Sequence, residues 1–189
     1  MSDLEFSRMI CNVLNLNKKL SRFSKYSPLW RWLAPARLAK QPWHENISKR
    51  QVRATKVYVR DTGLLHSLLH IESSEVLAGH PKSGASWEGY AIEGLIQYFD
   101  WQPENVFYWA SHSGAEIDLL VFSNGKKIGY EFKLADNPKS TKSMQASIET
   151  LKLDELIIVI PGKKISFELS AKLKVRSLDV LIPTAYAVK

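Results

Sequence analysis

The chain has 189 residues, of which 45% are apolar and six are tryptophan, so we predict a globular protein with a sizeable core. Cys11 is its only cysteine, which excludes an intrachain disulfide and a cysteine-rich zinc site and fits a reducing compartment. There is no apolar run near the roughly 20 residues of a membrane helix, and the acidic start lacks the features of a signal peptide. We therefore predict a cytoplasmic protein without a membrane partner.

Positive charge is concentrated at the start of the chain. Residues 1–60 contain 13 Lys and Arg against 3 Asp and Glu, a net charge of +10, whereas the other 129 residues contain 13 against 16, a net charge of −3. This asymmetry predicts an anionic partner, nucleic acid before a membrane surface; the alternative is a solvated basic surface, or one that faced a partner domain. The candidate phosphate-binding residues are Lys49, Arg50, Arg53, Lys56 and Arg60.

Two regions follow from the pattern: a basic N-terminal region over residues 1–83 and an α/β domain over residues 84–189. In the first, prolines interrupt short helical pieces, and an alternating strand at 56–60 precedes a short helix at 64–71. In the second, apolar spacing predicts a helix, three strands, a helix and a strand, followed by an edge strand and a short helix. All but the last of these elements span, in order, residues 86–99, 105–111, 116–122, 126–134, 138–151, 155–160 and 174–178.

The dipeptide Asn124-Gly125 predicts a two-residue hairpin, because a type I′ turn needs positive φ at both central positions. Ser123 then faces Lys126, and each later pair follows one residue further along both strands. Since side chains alternate between the faces of a strand, one face is an apolar core built from Ile117, Leu119 and Val121 with Ile128, Tyr130 and Phe132. On the other face, Asp118 is expected opposite Glu131, and Glu116 opposite Lys133.

Two carboxylates directly opposed on a sheet repel each other, and a divalent cation would relieve that repulsion. Mg²⁺ takes carboxylate oxygens together with waters and phosphate oxygens, so Asp118 and Glu131 are candidate metal ligands. Lys133, on the same face, is a candidate for orienting water and neutralising phosphate charge. A charged face exposed to solvent is the alternative interpretation of the same residues.

The pattern Glu116-Ile-Asp118 followed by Glu131-Phe-Lys133 resembles the PD-(D/E)xK nuclease signature. The resemblance implies a restriction-endonuclease-like α/β fold: helix, three strands, helix and strand in a mixed sheet, here with a basic N-terminal extension. It also implies a Mg²⁺- or Mn²⁺-dependent endodeoxyribonuclease with catalytic Asp118, Glu131 and Lys133. Glu88 resembles a further acidic metal ligand of this superfamily, with Glu116 and Gln145 as accessory residues.

A closer resemblance is to the module called domain of unknown function 4143, which normally follows an AAA+ ATPase domain. It is carried by four stretches and a linker-like segment: residues 56–65, 84–89, 114–118, 131–133 and 42–50. The chain contains no G-x-x-x-x-G-K-[ST] loop, so we expect no ATP site. The resemblance implies a stand-alone or truncated module that forms a homo-oligomer or meets a separate ATPase. The rival hypothesis is a non-catalytic DNA- or protein-binding module.

Overall fold

The structure is a computed structural model that describes residues 37–44, 51–162 and 164–183. Within these ranges it has a mixed α/β fold. Its strands are β1 (Arg37–Pro42), β2 (Lys56–Val59), β3 (Val106–Ala110), β4 (Glu116–Ser123), β5 (Lys126–Phe132), β6 (Glu155–Ile160), β7 (Ser166–Ser170) and β8 (Leu173–Ser177). Its helices are α1 (Thr62–Leu68), α2 (Ser74–Gly79), α3 (Ser83–Phe99), α4 (Lys142–Leu151) and α5 (Leu178–Leu181). None of these helices is long and apolar enough to cross a membrane.

The eight strands form one mixed sheet in the order β2-β1-β3-β4-β5-β6-β8-β7. Pairing is parallel between β1 and β3, between β5 and β6, and between β6 and β8, and antiparallel elsewhere. The predicted order of helix, three strands, helix and strand is present as α3, β3, β4, β5, α4 and β6. Strands β1 and β2, which come from the basic N-terminal region, extend the same sheet beyond β3.

The hairpin between β4 and β5 has the predicted turn and register. Asn124 and Gly125 have φ values of 51° and 72°, as a type I′ turn requires. Five successive pairs follow, from Ser123 with Lys126 to Leu119 with Tyr130. The register prediction is therefore confirmed over this stretch.

A β-bulge interrupts the pairing of β4 with β3. Phe107 pairs with Leu120, but Trp109 pairs with Ile117. One residue of β3 thus spans two residues of β4, and Asp118 is one of those two. An extra residue bends its strand and changes the direction of the side chains around it.

Because of this bulge, the prediction that Ile117 shares a face with Leu119 is wrong. Ile117 packs with Leu120 in one core cluster, whereas Leu119 and Val121 belong to the other. The predicted alternation holds from the turn to Leu119 and reverses beyond it, because one inserted residue exchanges the two faces.

Helices cover both faces of the sheet. The first core cluster joins α4 to the sheet and includes Met144, Ile148 and Leu151, and the second joins α3 to the opposite face and includes Ala91, Ile92 and Leu95. Strand β6 contributes to both clusters: Leu156, Ile158 and Ile160 to the first, Ile157 and Val159 to the second. A strand covered on both faces has a continuous apolar run, and β6 has one from Leu156 to Ile160.

The structure differs from the predictions in which strand lies at the edge of the sheet and in where helix α4 begins. Strand β8 was predicted at the edge, but β7 occupies that position; its side chains are mostly exposed, and an exposed strand lacks the apolar alternation by which strands are recognised. Helix α4 begins at Lys142 rather than at residue 138, because Thr141 caps it by accepting a hydrogen bond from the Met144 N–H at 3.2 Å.

Candidate functional site

Charged side chains from four elements, β1, β2, β4 and α3, lie together at one place in the fold. Lys56 comes from β2, Glu116 and Asp118 come from β4, and Glu88 comes from the second turn of α3. We call Glu88, Glu116 and Asp118 the acidic cluster. Lys40 of β1 donates a hydrogen bond to the main-chain oxygen of Asp118.

The ammonium of Lys56 lies at the centre of the acidic cluster. Lys56 Nζ is 2.7 Å from Glu116 Oε1, 2.9 Å from Asp118 Oδ1 and 3.0 Å from Glu88 Oε1. The Lys56 side chain is only 16% exposed. Its three N–H donors therefore have one carboxylate each, which satisfies the whole donor capacity of an ammonium group.

Asp118 is 8% exposed and is held at three points. Besides the bond from Lys56, its Oδ2 accepts a hydrogen bond from the Phe132 N–H at 3.2 Å, and its main-chain oxygen accepts one from Lys40 Nζ. Burial raises the pKa of Asp118, but the ammonium groups of Lys56 and Lys40 outweigh it and leave this pKa below its usual value. Burial, helped by the charge of Lys56, lowers the pKa of Lys40 to about 7.

Glu88 is shared by two donors from β2. The Tyr58 hydroxyl donates to Glu88 Oε1, the same oxygen that accepts from Lys56. Burial, with the negative charge of Asp118, raises the pKa of Glu88. Burial also raises the pKa of Tyr58, so its phenol stays protonated and remains a donor at neutral pH.

Glu131 and Lys133 form a separate ion pair at the end of β5. Glu131 Oε2 lies 3.3 Å from Lys133 Nζ; Glu131 is buried, whereas the Lys133 side chain is 45% exposed. The pKa of Glu131 is raised to about 7, mainly by burial. The positive charge of Lys133 opposes this increase, and the negative charge of Asp118 adds to it. Asp118 approaches this pair through the backbone, because its Oδ2 accepts a hydrogen bond from the N–H of Phe132, which lies between Glu131 and Lys133.

The relation between Asp118 and Glu131 nevertheless differs from the one we expected. The paired residues of β4 and β5 end at Leu119 with Tyr130, and beyond that pair Asp118 bonds to the Phe132 N–H. Asp118 also has a cationic partner in Lys56. We expected a divalent cation to relieve the repulsion between Asp118 and Glu131; the structure shows that Lys56, a lysine from another part of the sheet, supplies a compensating charge to Asp118.

The predicted phosphate contacts have different surroundings. Arg53 is exposed, as a phosphate contact requires. Lys56 is enclosed by the acidic cluster, and Arg60 is paired with Glu93 at 2.5 Å. The remaining two lie outside the described residues: Lys49 and Arg50.

Gln145, the predicted accessory residue, is exposed and donates to Ser140 Oγ at 2.9 Å. Conversely, sequence reasoning missed Lys40 and Tyr58 as parts of the site. Tyr58 had a detectable signal, because it lies two residues from Lys56 on a strand and shares its face. Lys40 had none, since no local pattern distinguishes it from the other basic residues nearby.

The donor set can be compared with the needs of a divalent cation. The acidic cluster offers hard carboxylate oxygens, the chemistry that Mg²⁺ prefers, but Mg²⁺ requires oxygens at roughly 2.0–2.1 Å, and Lys56 Nζ holds the point nearest to all three. Within residues 37–44, 51–162 and 164–183, no group of three or more His, Cys, Asp or Glu side chains has the arrangement of a metal site. The carboxylates fit the ion chemically, while their common point holds an ammonium.

Fold and site together define a mixed α/β domain with helices on both sheet faces and a buried centre of carboxylates and lysines. Residues 83–178 match the family described as Domain of unknown function (DUF4143), and the chain belongs to that family. This confirms the family prediction. Residues 7–75 match a second family, described as Domain of unknown function (DUF8612).

Two curated mycobacterial proteins are similar to the chain. They are "Uncharacterized protein Mb2031c" of Mycobacterium bovis and "Uncharacterized protein Rv2008c" of Mycobacterium tuberculosis, each 43% identical over 122 residues. The match covers 65% of this chain and 27% of each relative, so the chain spans about a quarter of their length. No solved structure shows a significant match.

Proposed function

We propose that this chain is a nuclease-like module of the PD-(D/E)xK type that acts on DNA phosphodiesters with Mg²⁺ or Mn²⁺. One observation carries the proposal: Asp118 Oδ2 accepts a hydrogen bond at 3.2 Å from the N–H of Phe132, the residue between Glu131 and Lys133, and Glu131 is paired with Lys133 at 3.3 Å. Carboxylates that share one buried site, beside a lysine that reaches the surface, are the groups that metal-assisted phosphodiester hydrolysis needs.

Each of these residues has a role that its position supports. Asp118, Glu131 and Glu88 would hold the ion, and a bound ion would supply a water of lowered pKa and stabilise charge on the phosphate. Lys133 is exposed enough to reach a phosphate oxygen, where its ammonium would neutralise developing negative charge. Glu131 keeps that ammonium at the site. Glu116, with its side chain 48% exposed, stands at the rim.

DNA remains the proposed partner because of the charge of the N-terminal region, but fewer lysines support it than the sequence suggested. Lys40 and Lys56 are two of the 13 basic residues in 1–60; Lys56 pairs with carboxylates inside the protein, and Lys40 donates to the main-chain oxygen of Asp118. Contacts to the phosphate backbone would therefore fall to Arg53 and to the basic residues outside the described ranges.

A second candidate function is that of a non-catalytic DNA- or protein-binding module, and a specific observation supports it. Lys56 satisfies Glu88, Glu116 and Asp118 at once, so the acidic cluster is neutralised without a metal ion. In that case the cluster would hold β2 against β4 and α3, and an AAA+ ATPase would be a docking partner.

Plasmid cleavage separates the two candidates. The full chain, freed of metal, is incubated with supercoiled plasmid in Mg²⁺, in Mn²⁺ and in EDTA, alongside filter binding of the same DNA. The nuclease proposal expects nicked or linear plasmid with either ion, none with EDTA, and none from the Glu131→Gln variant. DNA that is retained on the filter but never cut would instead support the non-catalytic module.

A further inference from the structure

We propose that Lys56 is the resident cation of the acidic cluster, and that its ammonium and a divalent metal ion exclude each other from the same position. This inference rests on the proposed function, because two of the proposed metal ligands, Asp118 and Glu88, are partners of Lys56 Nζ. It assigns to Lys56 the part of a competitor that has to leave the centre before a metal ion enters.

The geometry of Lys56 carries the proposal. Three carboxylate oxygens from two elements, β4 and α3, lie between 2.7 and 3.0 Å from Lys56 Nζ. An ion bound by the oxygens of Asp118 and Glu88 among these would have to lie between them, close to where Nζ is. Two cations cannot share that volume, because they repel each other. A bound metal ion would also need the carboxylate oxygens closer to it than they are to Lys56 Nζ.

Charge explains why the position is filled. Without Lys56, the carboxylates of Glu88, Glu116 and Asp118 would stand together in a largely buried place, and leaving a buried charge unpartnered is strongly unfavourable. Lys40 offers only partial compensation, because its hydrogen bond goes to the main-chain oxygen of Asp118. Removing the Lys56 charge should therefore raise the affinity of the acidic cluster for another cation.

Lys56 is also able to leave. Its ammonium is attached through a flexible four-carbon stem, and the Glu116 side chain on one side of it is 48% exposed. An incoming ion would thus meet the cluster from the Glu116 side and displace the ammonium towards solvent. The backbone of β2 need not move for this exchange.

Manganese binding to a lysine variant tests the exclusion directly. The loss of the free Mn²⁺ signal in electron paramagnetic resonance gives the affinity of the wild type, of Lys56→Met and of the matched exposed-site control Lys126→Met. We expect Lys56→Met to bind Mn²⁺ at least tenfold more tightly than the other two, and Asp118→Asn added to Lys56→Met to abolish the gain. Equal affinity of Lys56→Met and wild type would overturn the proposal.

Lysine labelling of the wild type provides a test that does not depend on the folding of a variant. An amine-acylating reagent is applied in EDTA and in saturating Mn²⁺, and mass spectrometry follows Lys56 with exposed Lys126 as the internal reference. We expect Mn²⁺ to speed the labelling of Lys56 several-fold and to leave Lys126 unchanged. If Mn²⁺ binds and Lys56 labelling stays slow, the ammonium has not been displaced and the proposal fails.

The two proposals fail in different ways. Plasmid cleavage in Mn²⁺ without any change in Lys56 labelling would contradict the mutual exclusion of Lys56 and the metal ion but support the nuclease function. Tight Mn²⁺ binding by Lys56→Met without cleavage by any variant would keep the exclusion and sink the nuclease function.

Discussion

Lys56 Nζ donates a hydrogen bond of 2.9 Å to Asp118 Oδ1, across 62 positions of the chain. The contact connects β2 to β4, which are separated in the sheet order by β1 and β3. It is possible because β1 changes partners, pairing with β2 over residues 37–40 and with β3 only at residues 41 and 42. The charge partner of Asp118 therefore comes from the N-terminal strands rather than from the hairpin that carries it.

The first prediction concerns the stability that this contact supplies. Asp118→Asn keeps the shape of the side chain but removes the charge that faces Lys56, so it should destabilise the metal-free protein. We expect a loss of roughly 3 kcal/mol in the free energy of unfolding, the lower end of the cost of breaking a buried ion pair. Urea denaturation in EDTA measures it.

Asp100→Asn is the matched control for this change. Asp100 is exposed and ends α3 with a left-handed φ of 50°, a conformation that Asn tolerates, so its substitution should be nearly neutral. An Asp118→Asn protein as stable as the wild type would mean that Lys56 does not depend on this carboxylate.

The second prediction concerns pH and Glu131. Its pKa is about 7 in the folded protein against an ordinary value of 4.5. Between these values the folded state holds a proton that the unfolded state has released, so Glu131 makes the wild type lose stability as pH rises from about 4.5 to 7. Glu131→Gln does not titrate, so its stability relative to the wild type should increase from pH 4 to pH 8.

Urea unfolding of both proteins at several pH values in EDTA gives this difference. The exposed Glu104→Gln variant, in the short turn before β3, serves as a control whose difference from the wild type should stay flat. A flat difference for Glu131→Gln as well would show that burial does not hold the proton on Glu131.

Local sequence signals were enough to predict the hairpin between β4 and β5. Asn124-Gly125 determines the turn, and the turn determines the register from Ser123 to Leu119. The register prediction lost its value at Asp118, because the bulge that shifts β4 against β3 depends on packing between strands and leaves no mark in the composition of β4.

The hairpin residues of the candidate site could be predicted from the sequence, whereas the contribution of β1 and β2 to it could not. Asp118 and Glu131 lie on adjacent strands and Lys133 directly follows the second strand, so the hairpin turn was enough to predict that they lie near one another. Lys56 and Lys40 reach the site through the sheet order β2-β1-β3-β4, which brings together strands far apart in sequence. Without that topology, a net charge of +10 over residues 1–60 suggested an external partner, although Lys56 pairs with internal carboxylates and Lys40 donates to the main-chain oxygen of Asp118.

The third prediction concerns DNA affinity. Arg50→Ala together with Arg53→Ala should reduce the slope of log K against log salt by about 2, since each phosphate contact contributes close to 0.9. Fluorescence anisotropy with a short duplex between 50 and 200 mM salt, roughly the range in which such slopes are defined, measures it. Lys126→Ala with Lys139→Ala, two exposed lysines of the α/β domain, is the control. An unchanged slope in the arginine variant would assign these residues to something other than phosphate.

The most direct measurement for the proposed nuclease function is the single-turnover cleavage rate of Lys133→Ala in Mn²⁺. The Lys133 side chain is 45% exposed, and a partly exposed ion pair contributes at most about 1 kcal/mol, so the variant should fold almost as stably as the wild type. Loss of a group that stabilises charge in the transition state should nevertheless slow cleavage by about a hundredfold or more, while the Lys126→Ala control cuts at the wild-type rate. A stable Lys133→Ala protein that cuts DNA as fast as the wild type would contradict the account.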